Sequence, residues 1–315
     1  MDISTIFVSY NTSNLLHKAV AKLRDSSRNL KTEIIFVDNA SADDSVAQIK
    51  NRFPECRLIV NESNVGFGRA NNQALPYATG RFILLLNTDA FIAPDTLDKC
   101  IAYMDSHPKC GILGVRLEGR DGILQPCARY FPTPLNVFLH RTGLSKWTKN
   151  VQMVDDMNWA HDEVRACDWV VGCFYMIRRE VIDHVGLFDP RYFLYFEEVD
   201  HCLAAKKAGW EVIFFPHTTV IHLGGESAKS EGKITKNGKQ LDALGIESEL
   251  LYFRKHFGPF GALAGIILIF LSELIITFKQ ILKRNIESDI YNSFRRVKLV
   301  SSIAFRTRLG KKPTR

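Results

Sequence analysis

Short apolar runs alternate with helical patterns over the first hundred residues of the chain. The run at 82–86 is the clearest strand, because five consecutive apolar residues indicate burial on both faces of a sheet. Regular alternation of strands and helices predicts right-handed crossovers and a mostly parallel α/β sheet flanked by helices. Ser41 is placed to cap the second helix. We expect strands at 3–8, 33–38, 57–60 and 82–86, and helices at 15–23, 43–53, 67–77 and 94–104.

Beyond residue 119 the pattern loosens before it becomes regular again. Pro, Gly and aromatic residues between 119 and 165 predict a long connection whose short elements shape an acceptor-side wall. We expect strands at 170–177, 212–215 and 219–223, and helices at 179–185 and 197–207, the second of them closed by Gly209.

The C-terminal part has a different composition. Residues 260–278 contain a single charge, Glu273, over nearly the length of a membrane span, and residues 279–315 carry a local balance of +9. A crossing would place this basic segment across the membrane from a cytoplasmic catalytic domain, against the positive-inside tendency. We therefore expect an apolar helix in the membrane interface, followed by a basic amphipathic helix around Phe294 and Val297. The alternative is a soluble helical hairpin packed on the core or on a dimer partner.

Composition narrows the class of protein. The 315 residues are 46% hydrophobic and 24% charged, which is typical of a globular chain. Because the basic tail accounts for the whole net charge of +7, a nucleic-acid-binding body is not indicated. The seven cysteines form no CxxC pair, so we expect buried free thiols in a reducing compartment. The chain begins in a strand without a basic and apolar leader, so no secretory signal is expected.

Polar residues follow four of the predicted strands. Ligands of parallel sheets bind at the carboxyl ends of the strands, so these groups are expected to contact a base, a ribose and a diphosphate together. Asp89 is an expected ligand of a divalent cation, the alternative being a turn residue. Gly66 and Gly68 allow close backbone approach at a helix start, where N–H groups favour anions, although turn glycines need no such role. The strand-end groups are Ser9, Tyr10, Asn11, Asp38, Asn39, Asn64, Gly66, Asn87, Thr88 and Asp89.

These residues resemble the inverting family 2 glycosyltransferases, and in particular the rhamnosyltransferase-like branch that builds bacterial surface polysaccharides. The resemblance covers residues 3–225 and implies a GT-A fold. It implies a nucleotide-sugar-binding half at 1–118 and an acceptor-binding, catalytic half at 119–256, and we expect membrane association at 257–315. The motifs are VSYN at 8–11, VDNASAD at 37–43, NVGFGRANN at 64–72, LNTD at 86–89, GLFD at 186–189, YFEEVD at 195–200 and HLGG at 222–225.

The resemblance also assigns ligands. The metal-binding Asp-x-Asp of the family corresponds to Asn87-Thr88-Asp89, which makes Asp89 the principal protein ligand of Mg²⁺ or Mn²⁺. His222 matches a position that supplies a further ligand, although a lone His at a strand end is more often structural. The nucleotide-sugar-binding residues are Ser9, Tyr10, Asn11, Asp38, Asn39, Asn64, Gly66, Phe67, Ala70, Asn71, Asn87 and Thr88.

Three acidic residues open the helix at 197–207. Acidic groups in a first helical turn are stabilised by the helix dipole by about 0.3–1 kcal/mol each when exposed, and this alone explains their presence. The aromatic run at 192–196 nevertheless desolvates them, which raises a carboxyl pKa and favours proton abstraction. In the family the base is the second residue of an acidic pair. Beside Glu197 this places the base at Glu198, where Asp is usual, and leaves Asp200 to orient the loop or the acceptor.

The resemblance therefore implies an enzyme that transfers L-rhamnose from dTDP-L-rhamnose to a polyprenyl-diphosphate-linked glycan. We expect it on an anionic membrane surface, at the cytoplasmic face of the bacterial inner membrane. One alternative uses a UDP-hexose at the same site. Another is a nucleotide-sugar-binding scaffold that has lost catalysis, for which Asn87 and Glu198 would be the telling changes. Retention of Asp38, Asp89 and the acidic pair argues against that scaffold.

Overall fold

The structure is a computed structural model that describes residues 1–148, 151–224, 238–282 and 287–315. Gly225 of the HLGG motif therefore lies outside the described residues. Two units are distinguished, a sheet unit and a helical unit. The predicted boundaries at 118 and 256 stay predictions. The sheet unit comprises the described residues of Met1–Arg129, Met157–Pro190 and Glu197–Lys236, and the helical unit those of Tyr130–Asp156, Arg191–Phe196 and Asn237–Arg315.

The sheet unit is built on one nine-stranded sheet in the order β3-β2-β1-β4-β8-β6-β9-β5, with β7 paired to β9. The block from β3 to β4 is parallel, as predicted, and antiparallel pairing of β8 with β4 makes the whole sheet mixed. All five residues of β4 are buried, as expected of a central strand. The strands are β1 Ile3–Ser9, β2 Thr32–Asp38, β3 Arg57–Val60, β4 Phe82–Leu86, β5 Ala90–Ile92, β6 Cys110–Glu118, β7 Arg165–Ala166, β8 Phe174–Arg178 and β9 Glu211–His222.

Helices cover the sheet and form the helical unit. The predicted apolar spacing of the first helix is confirmed, since Leu15, Leu16, Ala19, Val20 and Leu23 are all buried. All seven cysteines are free, and every one except Cys56 is buried, as predicted. The helices are α1 Ser13–Ser26, α2 Ser45–Arg52, α3 Phe67–Ala74 with a 3₁₀ turn at Leu75–Tyr77, α4 Thr96–Ser106, α5 Pro134–Thr142 with a 3₁₀ turn at Leu144–Trp147, α6 Arg179–Val185, α7 Glu197–Lys207, α8 Gly238–Leu282 and α9 Glu287–Arg306.

Several sequence expectations were wrong. The capping role of Ser41 is wrong, because its N–H and hydroxyl both bind the Asp38 carboxylate, and the N–H of Ser45 binds Asp43 Oδ1 at 3.0 Å instead. The strand expected at 170–177 begins only at Phe174. The strands expected at 212–215 and 219–223 are one strand, β9, with a register shift against β6. Neither β5 nor β6 was expected. Two glycines weaken the pattern of β6, and β5 is only three residues long.

A buried polar network holds α7 against β8. The Tyr175 hydroxyl lies 2.8 Å from His201 Nδ1, and His201 Nε2 lies 3.0 Å from the Gly186 carbonyl oxygen. A carbonyl can only accept, so Nε2 carries the proton and Nδ1 accepts from Tyr175. Burial lowers the pKa of His201 to about 4. The neutral imidazole therefore fixes the helix on which Glu197, Glu198 and Asp200 lie.

In the helical unit, α8 bends at Gly258 and packs against α9. Gly258 has φ 70°, a left-handed conformation that glycine adopts without strain, and Pro259 starts the second segment. The two helices pack on each other, as a hairpin would. Their shared core consists of Ile246, Leu250, Ile266, Ile269, Val300, Ile303 and Ala304.

One face of α8 is apolar and exposed. We call it the apolar stripe, and its residues recur every three or four positions, so they share one side of the helix. Phe260, Leu274 and Phe278 are 82%, 67% and 62% exposed. Among the described residues, one helix, α8, is long enough and apolar enough to cross a membrane. The apolar stripe consists of Phe260, Leu263, Ile267, Leu271, Leu274 and Phe278.

The depressed pKa of His201 predicts an acid-sensitive fold. The unfolded chain binds a proton near pH 6.5, whereas the folded chain binds it only near pH 4. The contribution of neutral His201 to the unfolding free energy is therefore fully present above pH 6.5. As the pH falls from 6.5 toward 4, the unfolding free energy decreases by about 3 kcal/mol. His201→Gln should remove this part of the pH dependence of the unfolding free energy, measured by denaturant titration. The exposed His17→Gln serves as the control, and equal pH slopes in wild type and His201→Gln would contradict the assignment.

Candidate active site

The ends of β1 and β2 lie side by side. Ser9 is the register partner of Asp38, and the N–H of Asn39 donates to the Ser9 carbonyl at 2.8 Å. The Asp38 carboxylate is fully buried and accepts from the Ser41 N–H at 2.9 Å and its hydroxyl at 2.6 Å. Asp38 therefore shapes the loop that follows β2, in which Ala40 has φ 66°. Its predicted contact with a nucleotide stays a prediction.

Asn39 joins this loop to the segment that leads into α3. Its Nδ2 donates to Asn64 Oδ1 at 2.9 Å and to the Gly66 carbonyl at 3.3 Å. Its Oδ1 accepts from Asn61 Nδ2 and from the Val65 N–H, both at 3.1 Å. Both amide atoms of Asn39 are thus engaged in fixing the loop, and the ends of β2 and β3 are held as one polar edge.

Asn11 closes the same edge from β1. Its N–H donates to the Ser41 hydroxyl at 2.9 Å, and its Oδ1 accepts from the Ala42 N–H at 2.7 Å. Asn11 has φ 54°, and left-handed backbone outside glycine is concentrated at functional sites. Tyr10, next to it, is half-buried. The structure thus brings the predicted residues of the first three strand ends together.

The start of α3 faces the acidic helix α7. A Cβ on Gly68 would lie 3.3 Å from Phe188 Cβ and 3.5 Å from Glu197 Cβ, so this glycine allows the close approach. Ala70 is fully buried. The Asn71 Nδ2 donates to the Phe67 carbonyl at 2.9 Å, while its buried Oδ1 accepts no hydrogen bond from any described residue.

Asp89 and His222 lie together because β5 pairs with β9. Ala90 is the register partner of His222, and Asp89 Oδ1 is 3.7 Å from His222 Nε2. The preceding residues are fixed as well, since the Asn87 N–H donates to the Cys173 carbonyl at 3.0 Å and Thr88 is buried. The predicted metal pair is thus assembled by a strand pairing that the sequence pattern does not indicate.

Gln125 orients the His222 ring. Its Nε2 donates to the His222 carbonyl at 2.9 Å, which turns its Oε1 toward His222 Nδ1, also at 2.9 Å. Because Nδ1 must then donate, Nε2 presents its lone pair to Asp89, and burial lowers the pKa of His222 while the Asp89 charge opposes this. An imidazole whose far nitrogen donates to an oxygen is the usual arrangement of a metal ligand. The two side chains therefore fit a divalent cation.

Two protein side chains do not complete the shell of such a cation. Within the part of the chain that the structure describes, no group of three or more His, Cys, Asp and Glu side chains could hold a metal. Mg²⁺ and Mn²⁺ commonly take further oxygen ligands from water and substrate phosphates. The site therefore fits a metal bound together with a diphosphate.

Glu198 is half-buried at the start of α7. Burial raises the pKa of its carboxyl, and the Arg129 charge and the N–H groups of Gly172 and Val199 offset part of this rise. Its Oε2 is withdrawn from water and has no hydrogen-bond partner among the residues that the structure describes. Arg129 is held by stacking on the Trp169 ring at 4.2 Å. A desolvated carboxylate with one oxygen unengaged is the chemistry of a general base.

The neighbouring acidic residues are more deeply buried than Glu198. Glu197 is 3% exposed and Asp200 is 4% exposed, so they do not form a solvated acidic face. Tyr195 and Phe196, which precede α7, both have φ 70°. Consecutive left-handed residues without glycine are costly and are typical of functional sites. The backbone at the start of α7 is therefore constrained.

Cys173 links the two halves of the site. Burial raises the pKa of its thiol, and the charges of Asp89 and Glu198 both add to the rise. The Asn87 N–H, just before Asp89 in the chain, donates to the Cys173 carbonyl, and a Cβ on the adjacent Gly172 would lie 3.7 Å from Glu198 Oε1. The structure thus brings the candidate metal ligand and the candidate base together.

Three residues of this site carry no clear signal in the sequence. Gln125 and Arg129 lie in the segment with Pro, Gly and aromatic residues, where polar side chains are ordinary. The sequence pattern around Cys173 is that of any small residue in a buried segment, so it does not mark a functional position. Their roles depend on partners 25 to 97 positions away, so only the folded chain identifies them.

Comparison with known proteins identifies the family of the chain. The family described as "Glycosyl transferase family 2" matches residues 4–186. The N-acetylglucosaminyl-diphospho-decaprenol L-rhamnosyltransferase of Mycobacterium tuberculosis is 25% identical over 233 residues, covering 70% of this chain and 75% of that relative. The poly(ribitol-phosphate) beta-N-acetylglucosaminyltransferase TarS of Staphylococcus aureus is 25% identical over 143 residues, 44% of this chain and 25% of TarS.

Solved structures share the GT-A type of fold. The crystal structure of TarS 1–349 superposes with a TM-score of 0.52 at 14% identity, covering 98% of this chain and 92% of that one. The mannosyltransferase PcManGT of Pyrobaculum calidifontis, in complex with GDP-Man and Mn²⁺, gives 0.54 at 13% identity, covering 98% and 88%. The chain therefore belongs to glycosyl transferase family 2, in its rhamnosyltransferase-like branch, and is a glycosyltransferase.

Proposed function

We propose that the protein is an inverting, metal-dependent glycosyltransferase that moves L-rhamnose from dTDP-L-rhamnose to a polyprenyl-diphosphate-linked glycan. The observation that carries the proposal is that Gly172 and Cys173 connect the half-buried Glu198 with the segment that holds the Asp89–His222 pair. The sugar and the acceptor are supported by the name of the mycobacterial relative, which matches 70% of this chain. The same site would suit a UDP-hexose, and comparing dTDP-, UDP- and GDP-sugars with and without Mn²⁺ separates the donors.

Glu198 acts as the base in this proposal. Its carboxylate takes the proton of an acceptor hydroxyl while the hydroxyl oxygen forms a bond to the anomeric carbon. The bond from that carbon to the phosphate oxygen breaks, and the nucleoside diphosphate leaves with the electron pair. Attack from the face opposite to the leaving group inverts the configuration. Burial of Glu198 supports this role, because it raises proton affinity and keeps water from the site.

The remaining residues position the donor. The polar edge formed by Asn11, Asp38 and Asn39 would hold the nucleotide, with the orphaned Oδ1 of Asn71 at the start of α3 available to a donor group. Asp89 and His222 would hold a divalent cation. A bound cation would supply electrostatic stabilisation of the leaving diphosphate.

Membrane attachment is a separate part of the proposal. The apolar stripe of α8 supplies the surface that would enter the acyl boundary, and the basic residues after 279 would attract anionic lipids. We propose attachment in the interface plane, at the cytoplasmic face of the bacterial inner membrane.

Asp89→Ala should abolish the metal response. Without the carboxylate the cation loses its principal protein ligand, so donor hydrolysis in saturating Mn²⁺ should fall at least about 100-fold. The exposed Asp183→Ala removes an equal charge and should leave both Mn²⁺ binding, followed by electron paramagnetic resonance, and turnover unchanged. Near-wild-type activity of Asp89→Ala, or full wild-type activity in excess EDTA, would exclude the metal role.

Glu198→Gln tests the base. The amide is nearly isosteric but cannot accept the proton, so the transfer rate should fall at least about 100-fold while donor binding is retained. Asp200→Asn, on the same helix and more deeply buried, should cost less. Rates are compared in single-turnover transfer, and donor affinity by calorimetry. If Asp200→Asn were the more damaging change, Asp200 would be the base.

A further inference from the structure

The helical unit contains a cationic cavity that the proposed chemistry does not use. Its volume is about 870 Å³, within the range of small-molecule sites. Four cationic side chains line it against two carboxylates, Asp242 and Glu273. Apolar side chains, among them Ile276, form part of the wall. The cations are Arg141 of α5 and Arg295, Arg296 and Lys298 of α9.

Two of these cations share one carboxylate. Arg141 Nη2 lies 2.5 Å from Glu273 Oε1, and Arg296 Nε lies 3.5 Å from the same oxygen. Arg141 Nε also donates to the Ser272 hydroxyl at 3.2 Å. Glu273 is buried, and with Asp242 and the nearby Glu249 it makes three carboxylates against the four cations. The cluster therefore carries excess positive charge.

The electrostatic surroundings of Arg141 include a second guanidinium. Burial and the neighbouring Arg296 lower the pKa of Arg141, against the attraction of Glu273. Burial raises the pKa of Glu249, the other carboxyl that acts on Arg141 and Arg296. An anion entering the cavity would relieve the repulsion between the guanidinium groups.

The cavity lies on the side of α8 away from the apolar stripe. At 100° per residue, Glu273, Ile276 and Gln280 share one side of the helix, while Leu274 and Phe278 lie on the nearly opposite side. A helix with its side chains is about 10–12 Å across, and an interfacial helix sinks about 5–10 Å into the headgroup boundary. With the stripe in the acyl boundary, the cavity would stand at the level of lipid phosphates.

We propose that this cavity binds the diphosphate group of a polyprenyl-linked acceptor, with the first part of the lipid chain against the apolar wall. The proposal takes the class of lipid from the proposed function. Arg side chains bind phosphate oxygens in pairs, and basic pockets between membrane helices commonly hold phosphate headgroups. The apolar wall beside the cations favours a lipid-borne anion over a free one, because a free anion gains nothing from Ile276.

The test uses the full-length chain and two charge-matched double variants. Arg295→Gln/Lys298→Gln removes two charges at the cavity and leaves the Glu273 pairs intact. Lys311→Gln/Lys312→Gln removes two exposed charges of the same basic segment. Farnesyl diphosphate in phosphatidylcholine vesicles is the probe, and phosphatidylglycerol vesicles report general attraction. The cavity variant should bind the diphosphate vesicles about tenfold less tightly than the control variant, while both bind phosphatidylglycerol equally.

Two results would overturn the proposal. Equal losses in both variants on the diphosphate vesicles would leave only general electrostatics, and inorganic diphosphate binding as tightly as farnesyl diphosphate would exclude a lipid site. The triple variant Phe260→Ser/Leu274→Ser/Phe278→Ser tests membrane attachment separately from the cavity. It should weaken binding to both kinds of vesicle if the apolar stripe attaches the protein. Transfer by wild type to a polyprenyl-diphosphate-linked sugar tests the acceptor class itself. If that transfer fails while the cavity variant still binds the diphosphate vesicles less tightly than the control variant does, only the proposed function is contradicted.

Discussion

The burial of the acidic start of α7 is the constraint on which the site depends. A carboxylate that leaves water without full pairing is costly, and it persists only where the surrounding structure holds it. Here Gly68 lets α3 approach Glu197, and the Tyr175–His201 network anchors α7 to β8. As a consequence, Glu198 Oε2 is withdrawn from water without a hydrogen-bond partner among the described residues, and burial raises the pKa of the carboxyl. The burial of these carboxylates lowers the folding stability, and it leaves Glu198 able to accept a proton.

The second half of the site depends on the mixed topology of the sheet. The antiparallel pairing of β5 with β9 brings Asp89 to His222, although more than a hundred residues separate them. Gln125 then fixes the tautomer of the ring. A pair that is oriented before any ligand arrives needs little rearrangement on binding, which favours catalysis by positioning and electrostatics.

How far the sequence predicts this structure depends on the range of the interactions. The bounds of α6 and α7 and the parallel block from β3 to β4 follow from local patterns and were predicted correctly. The strand β6 was not expected, because its glycines weaken the pattern and only its neighbours stabilise it. Ser41 was misjudged because the Asp38 carboxylate outcompetes the helix end for its donors. Motif spacing indicated Glu198 and Asp89, but the supporting Arg129 became visible only in the fold.

The anomeric configuration of the product tests the central claim most directly. Single-turnover transfer from dTDP-L-rhamnose to a polyprenyl-diphosphate-linked sugar, followed by nuclear magnetic resonance of the new linkage, reads the stereochemistry without any variant. The account predicts a linkage of configuration opposite to that of the donor, because Glu198 activates the acceptor for a single displacement. A product that retains the donor configuration would require a covalent or front-face route and would contradict the assignment of Glu198 as the base.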